Sequence, residues 1–286
     1  MRRAVLALVP AVLLLAACGS STSSAGSSPS SSPSPSATCT KDSLQTLTAG
    51  KLTIATGEPA FEPWMVENKP ENGKGYESAV AYAVAKALGY SDADVTWVRT
   101  TFDGAIAPGP KKFDVNIQQY SITDERKKAV DFSSSYYDVS QAVVSYKGSP
   151  ADGVTTVAGL KDAKLGAAIG TTSLKAINDQ IQPTNAASVY NDNAAAVTAL
   201  KNKQIDAIVV DVPTAFYLAA AEIDNGIIVG QLPNSSSAQE QLGLLLAKSS
   251  PLTACVTSAV DAIKADGTLA KLADQWLAQA GAPVLS

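Results

Sequence analysis

The sequence predicts an α/β fold of two lobes, each a parallel or mixed sheet flanked by helices, with a cleft between them. Two observations carry this. Strand-like runs alternate with amphipathic helical runs along residues 51–277, the pattern of βαβ units. The alternation falls into two series of roughly 90 residues, each the size of a modest lobe. The expected lobes are 39–143 together with 240–286, and 144–239. Open α/β sheets bind ligands beyond the C-terminal ends of their strands, so two facing lobes place a ligand between them.

The first series opens with a strand at 51–56 (KLTIAT), followed by a turn-rich loop at 57–63. Gly75 precedes a helix over 77–88, where Ala79, Val80, Ala83, Val84, Ala87 and Leu88 share one face. Gly89 closes that helix, since glycine accepts the left-handed turn at a helix end. Residues 94–98 (DVTWV) alternate as a strand, and 115–119 (VNIQQ) form another that leads to a helix start at Thr123. A strand at 141–146 (QAVVSY) ends the series.

The second series runs strand 163–169, helix 171–180, strand 188–190, helix 193–202, strand 206–210, helix 213–221 and strand 227–230. The chain closes with an apolar strand, 242–247 (LGLLLA), and two helices. Leu252, Cys255, Val256, Ala259, Val260 and Ile263 line one; Leu269, Leu272, Ala273, Trp276 and Leu277 line the other.

Upstream of the folded part, Arg2 and Arg3 precede an apolar run, 4–17, too short to span a bilayer, which takes ~20 apolar residues. It suits the core of a signal peptide, 1–17. The run ends in Leu15-Ala16-Ala17-Cys18-Gly19, which resembles the bacterial lipobox; that resemblance implies cleavage before Cys18 and lipid on its thiol. Residues 18–38 are then a tether, and 19–38 are almost wholly Ser, Pro, Gly, Ala and Thr, a composition that cannot bury a core. The expected location is extracytoplasmic and lipid-anchored to the cell membrane. Of the three cysteines, Cys39 and Cys255 remain. In that compartment disulfides persist, and a Cys39–Cys255 bridge anchoring the start of the folded chain to its C-terminal part is expected, against the alternative of two separate thiols.

Composition narrows the chemistry. Formal net charge is −4 and no Lys/Arg stripe follows the leader, so a nucleic-acid partner is not expected. There is no histidine, which removes Ser-His-Asp and Cys-His catalysis and the commonest zinc ligand. Neither a Walker A pattern nor G-x-G-x-x-G occurs, so no nucleotide site is signalled. No cofactor and no metal are expected.

Four segments carry candidate chemistry. In 114–132 a strand runs into Ser121-Ile122-Thr123-Asp124-Glu125-Arg126. Thr123 suits an N-cap, and Asp124 and Glu125 suit the positive end of the helix dipole, whereas Arg126 opposes it. Arg126 is either a solvated cation paired with its acidic neighbours or a fork over the helix start that grips an anion. Gly170-Thr171-Thr172 joins a strand to a helix N-terminus, which serves as an anion site, an N-cap or both. Asp211 closes the apolar strand 206–210 at its C-terminal end. Glu58, Phe61 and Trp64 lie in the Pro-rich loop 58–64.

These motifs in combination resemble the amino acid-binding proteins of polar amino acid ABC importers, the extracellular solute-binding proteins of family 3, including glutamine- and histidine-binding periplasmic proteins. The matching stretches are Ser121 to Arg126, Asp131-Phe132-Ser133-Ser134-Ser135-Tyr136, Gly75-Tyr76-Glu77, and Ala265-Asp266-Gly267-Thr268 with Trp276. The resemblance covers 51–277 and implies the type II periplasmic-binding-protein fold, with two hinge strands. It also implies roles. Arg126 binds the α-carboxylate, joined by Ser121 and by Thr171 and Thr172 from the other lobe. Asp211 pairs with the α-ammonium, which the carbonyl of Gln119 also accepts from. Phe61 and Phe102 cover the ligand, beside Trp64, and Glu58 reads its side chain. Gln118-Gln119-Tyr120 depart from the small residues usual in the family.

The expected function is capture of an amino acid by a monomer that delivers it to a membrane permease, without catalysis. A soluble co-sensor, or a dehydratase-like enzyme using Glu58 as its acid, are the alternatives. With Glu58, Gln118 and Gln119 facing the ligand and no second cation, a polar uncharged or cationic side chain is expected.

Overall fold

The computed structural model describes residues 39–234, 239–277 and 281–286. The signal peptide, Cys18 and the tether read from the sequence lie outside the described residues. Among the described residues no helix is long and apolar enough to cross a membrane.

Two five-stranded sheets organise the chain. The first has the order β2-β1-β3-β10-β4, with β1 (Leu52–Thr56), β2 (Val95–Arg99), β3 (Val115–Asn116), β4 (Val130–Val139) and β10 (Glu240–Ala247). Strands β1, β2 and β3 are parallel, and β10 runs antiparallel to β3 and β4. The second has the order β7-β6-β8-β5-β9, with β5 (Gln141–Tyr146), β6 (Leu165–Ala168), β7 (Ser188–Tyr190), β8 (Ala207–Asp211) and β9 (Gly226–Gln231). Again three strands are parallel and β5 opposes its neighbours.

Helices α1 (Tyr76–Ala87), α7 (Thr253–Ala265) and α8 (Thr268–Trp276) belong with the first sheet, whose core holds Leu52, Ile54, Val80, Val84, Leu244 and Val256. The buried face of α7 is the stripe Cys255, Val256, Ala259, Val260, Ile263 that its spacing predicts. Cys255 is bonded to Cys39, 216 positions earlier, which fastens the start of the folded chain to this core. Helices α5 (Asn193–Lys201) and α6 (Val212–Tyr217) pack with the second sheet around Ala142, Val144, Leu200, Ile208 and Val210.

Three expectations change. All of β5 pairs in the second sheet, so the chain crosses at Ser140 and not after 143. The last residues, expected on the first lobe, lie on the second: Gln231 donates its N–H to Pro283 O (2.7 Å), Leu285 N–H to Gln231 O (2.8 Å), and the Leu285 side chain joins the second core. The strand expected at 115–119 stops at Asn116, because Gln119 turns into the left-handed region at φ 50°.

Two elements had no counterpart in the sequence reading. Strand β4 carries three consecutive serines and no clean alternation; its long pairing with β10 makes it a strand. Helix α2 (Phe102–Ile106) is a short turn capped by Thr101, which accepts from Gly104 N.

Candidate functional site

The two halves meet through polar contacts. The Arg126 guanidinium, only 7% exposed, donates from Nη1 to Ser121 O (2.8 Å) and from Nη2 to Gly170 O (3.0 Å) in the second half. Ser121 Oγ lies 3.3 Å from Thr172 Oγ1, and Trp64 Nε1 donates to Thr214 Oγ1 at 2.8 Å. Between these contacts lies a cavity of about 80 Å³. From the first half Thr56, Gly57, Pro59, Ala60, Phe61, Phe102, Gln118 and Gln119 line it; from the second, Ala168, Thr171, Thr172, Ser173, Asn191, Asp192, Asn193 and Asp211.

Arg126 stands in α3 (Asp124–Lys127), whose Thr123 cap accepts from the Arg126 N–H. Its guanidinium lies 5.2 Å from the centre of the Phe102 ring, which stacks on Tyr120 at 4.6 Å. Among the described residues no carboxylate is within ion-pair distance of it. Burial lowers its pKa, while Glu240, Tyr120, Asp211 and Asp103 pull the other way from further off. Gly170 suits its backbone: its φ is 71°, which glycine adopts freely, and a Cβ there would sit 2.1 Å from the Asp103 carboxylate, which would have to move. Thr171 caps α4 (Thr172–Ala176), accepting from Leu174 N (3.1 Å) and donating to Ala168 O (2.7 Å). The helix expected over 171–180 ends at Ala176 and widens into a π-type turn, Ile177–Ile181.

Gln119 lines the cavity at a strained backbone position, and its anchor is Glu77. The fully buried Glu77 carboxylate accepts from Gln119 N (2.8 Å), from the Gln119 side-chain amide and from the Tyr136 hydroxyl. Burial raises its pKa to about 7, although these hydrogen bonds oppose the shift. Gln118 faces the cavity and accepts from Tyr120 Oη (3.0 Å).

Asp211 reaches the cavity from the end of β8, where its carboxylate accepts from Gln141 Nε2 (2.7 Å). Burial, and then the nearby Glu240 charge, push its pKa up to about 8. The same Gln141 Nε2 donates to Glu240 Oε2 (2.9 Å), and Gln141 Oε1 accepts from Ser173 Oγ (2.6 Å). Neither Gln141 nor Glu240 was singled out from the sequence; one begins β5 and the other β10, and nothing local marks them.

Four expected residues are not among those that line the cavity: Ser121 and Arg126, which stand at the junction of the halves described above, and Glu58 and Trp64. Glu58 is exposed, held by Asn68 Nδ2 (2.6 Å) and Arg99 Nε (3.3 Å), and does not line the cavity. Trp64 is 1% exposed and packed with Tyr76 and Tyr137 at 6.1 and 6.0 Å, so its ring serves the core. Asp192, which the sequence reading passed over, lines the cavity instead of Glu58; it caps α5, accepting from Ala195 N (2.8 Å). Its signal was the Asn191-Asp192-Asn193 run before a helix.

Residues 52–279 match the bacterial extracellular solute-binding proteins, family 3. ABC transporter arginine-binding protein 1 of Escherichia coli (strain K12) is 31% identical over 208 residues, 72% of this chain and 82% of that protein. ABC transporter glutamine-binding protein GlnH of Bacillus subtilis (strain 168) is 28% identical over 272 residues, 93% of each. Among solved structures, an ancestral arginine-binding protein bound to arginine aligns at TM-score 0.66 and 31% identity, over 80% of this chain and 98% of that one.

Proposed function

The chain belongs to the bacterial extracellular solute-binding proteins, family 3, and from that membership we propose that it captures an L-amino acid between its lobes and delivers it to the permease of an ABC importer. One observation carries the reading: Arg126 is a buried cation where the two halves meet, bonded to two backbone carbonyls and lying over the Phe102 ring, with no carboxylate in ion-pair contact among the described residues. A buried charge without a counter-ion is costly, and a ligand carboxylate supplies one with fork geometry. In this reading Ser121, Thr171 and Thr172 assist Arg126, and Asp211 and the Gln119 carbonyl take the α-ammonium. Phe61 and Phe102 flank the side chain. The lobes, divided at the crossings near Ser140 and between Gln231 and Glu240, close by hinge motion. The dehydratase alternative rested on Glu58, which is exposed and outside the cavity.

The side chain favoured is cationic. With Asp211 assigned to the ammonium, Asp192 remains as a second carboxylate in the cavity wall, and no Lys or Arg is among the described residues that line it. A guanidinium or ammonium would answer Asp192 and gain attraction from the phenylalanine rings. A thermal-shift screen of the twenty amino acids on ligand-stripped protein tests this. Arginine or lysine at a hundred times Kd is expected to raise Tm by about 5–10 °C. Stabilisation by aspartate or glutamate alone would overturn the assignment.

The protein acts as a monomer held at the outer face of the membrane by lipid on Cys18. Replacing Cys18 by Ala is expected to move the protein from the membrane fraction to the medium; retention in the membrane fraction would remove the anchor.

A further inference from the structure

The cation-binding corner of the cleft contains more than Asp211. The side-chain amide of Gln141 has two hydrogens on one nitrogen, and that nitrogen holds two carboxylates, Asp211 Oδ1 at 2.7 Å and Glu240 Oε2 at 2.9 Å. Two acids thus share one neutral donor, and among the described residues no cation is in ion-pair contact with either. Glu240 Oε1 is buried without a hydrogen-bond partner. The three residues come from distant parts of the chain: Gln141 follows the first crossing, Glu240 follows the second, and Asp211 ends β8.

We propose that Glu240 is a positioning residue of the ammonium subsite: with Asp211 it forms a carboxylate pair, clamped by Gln141, that holds a proton while the cleft is empty and releases it when the ligand's ammonium arrives. This rests on the amino-acid reading of the same cavity and adds to it a proton that leaves the site for the solvent.

The electrostatics favour the exchange. Two half-buried carboxylates that share one donor nitrogen repel, and neutralising one relieves the repulsion. The groups that act on Asp211 are Glu240 from β10, Glu77 from α1 and Arg126 from α3, with Tyr136 and Tyr137 of β4 beside it. Two of the three charges are negative, and the one cation is directed at carbonyls. Asp211, raised to about 8, is therefore mostly protonated at neutral pH in the empty cleft. An arriving ammonium stabilises the carboxylate, so the proton is lost on binding. Glu240 sets the coupling because its charge is the largest contribution after burial.

Calorimetry of L-arginine, L-glutamine and L-histidine binding at pH 7, in buffers of different ionisation enthalpy, counts the protons. Close to one proton released per ligand is expected. Affinity should rise by up to about tenfold per pH unit from pH 6 towards 8, since the empty form binds the extra proton. In Glu240→Gln, Asp211 loses its repelling neighbour, so release at pH 7 should fall below half a proton and the rise should move to lower pH. A residue that only shaped the hinge would change affinity without moving this profile. Binding whose heat is the same in every buffer overturns the proton exchange and leaves the amino-acid reading standing. Absence of heat with all three probes overturns that reading and this one with it.

Discussion

Replacing Arg126 by Ala is expected to remove amino-acid binding while leaving the fold in place. The guanidinium is buried and bonded to Ser121 O and Gly170 O. These contacts hold a fork of five N–H donors across the cleft, and a carboxylate is the partner the fork lacks. Without it the ligand's carboxylate is enclosed and unpaired. Losing one partner of a buried hydrogen-bonded charge pair costs about 2–5 kcal/mol, or roughly 30- to 4,000-fold in Kd. The empty protein should tolerate the change, because the variant also removes a buried cation and its desolvation. Arg126→Lys should recover little, since an ammonium cannot reach Ser121 O, Gly170 O and a carboxylate with one planar fork. Calorimetry with arginine, together with far-UV circular dichroism, separates the outcomes. Unchanged affinity in a folded Arg126→Ala protein would exclude Arg126 from the site.

Opening the Cys39–Cys255 bond is the second large effect. The bond closes a loop spanning 216 positions, which contains the crossings near Ser140 and between Gln231 and Glu240 and all five strands of the second sheet. Chain entropy for such a loop gives ~5 kcal/mol as an upper figure, and removing a native bridge typically costs ~2–5 kcal/mol. For a chain of this size that is a Tm lower by about 5–15 °C. Cys39→Ala with Cys255→Ala should show it, and reduction of the native protein should reproduce it. The loosening should be local, because Cys255 sits in the α7 face of the first core and Cys39 packs against the same core. Hydrogen exchange should therefore quicken in α7 and near residue 40, and much less in β6 or β8. A Tm within 2 °C of the native value would show that the loop constraint contributes little.

Local structure was largely legible in the sequence because its causes are local. The apolar stripe of α7, the Thr123 and Thr171 caps, and the end of β8 at Asp211 each follow from periodicity or from a side chain bonding the backbone three residues on. The two-series pattern likewise identified an α/β fold, and the combined motifs pointed to an amino-acid site around Arg126. What sequence alone did not determine is which side chains share a space. Glu58 stands three positions before Phe61 in the chain, yet it turns outward to Arg99 and Asn68, while Phe61 lines the cavity. Trp64 is drawn into the core by Tyr76, Tyr137 and a hydroxyl 150 positions away. Gln119 departs from its expected strand because a buried Glu77 holds its backbone in a conformation that residue type alone disfavours. Gln141, Asp211 and Glu240 meet only because two crossings bring three strand ends together, with contacts separated by 70 and 99 positions. Propensity and capping act over one or two turns of chain, whereas a buried carboxylate answers to everything within a few ångströms, and only the tertiary fold decides which residues those are.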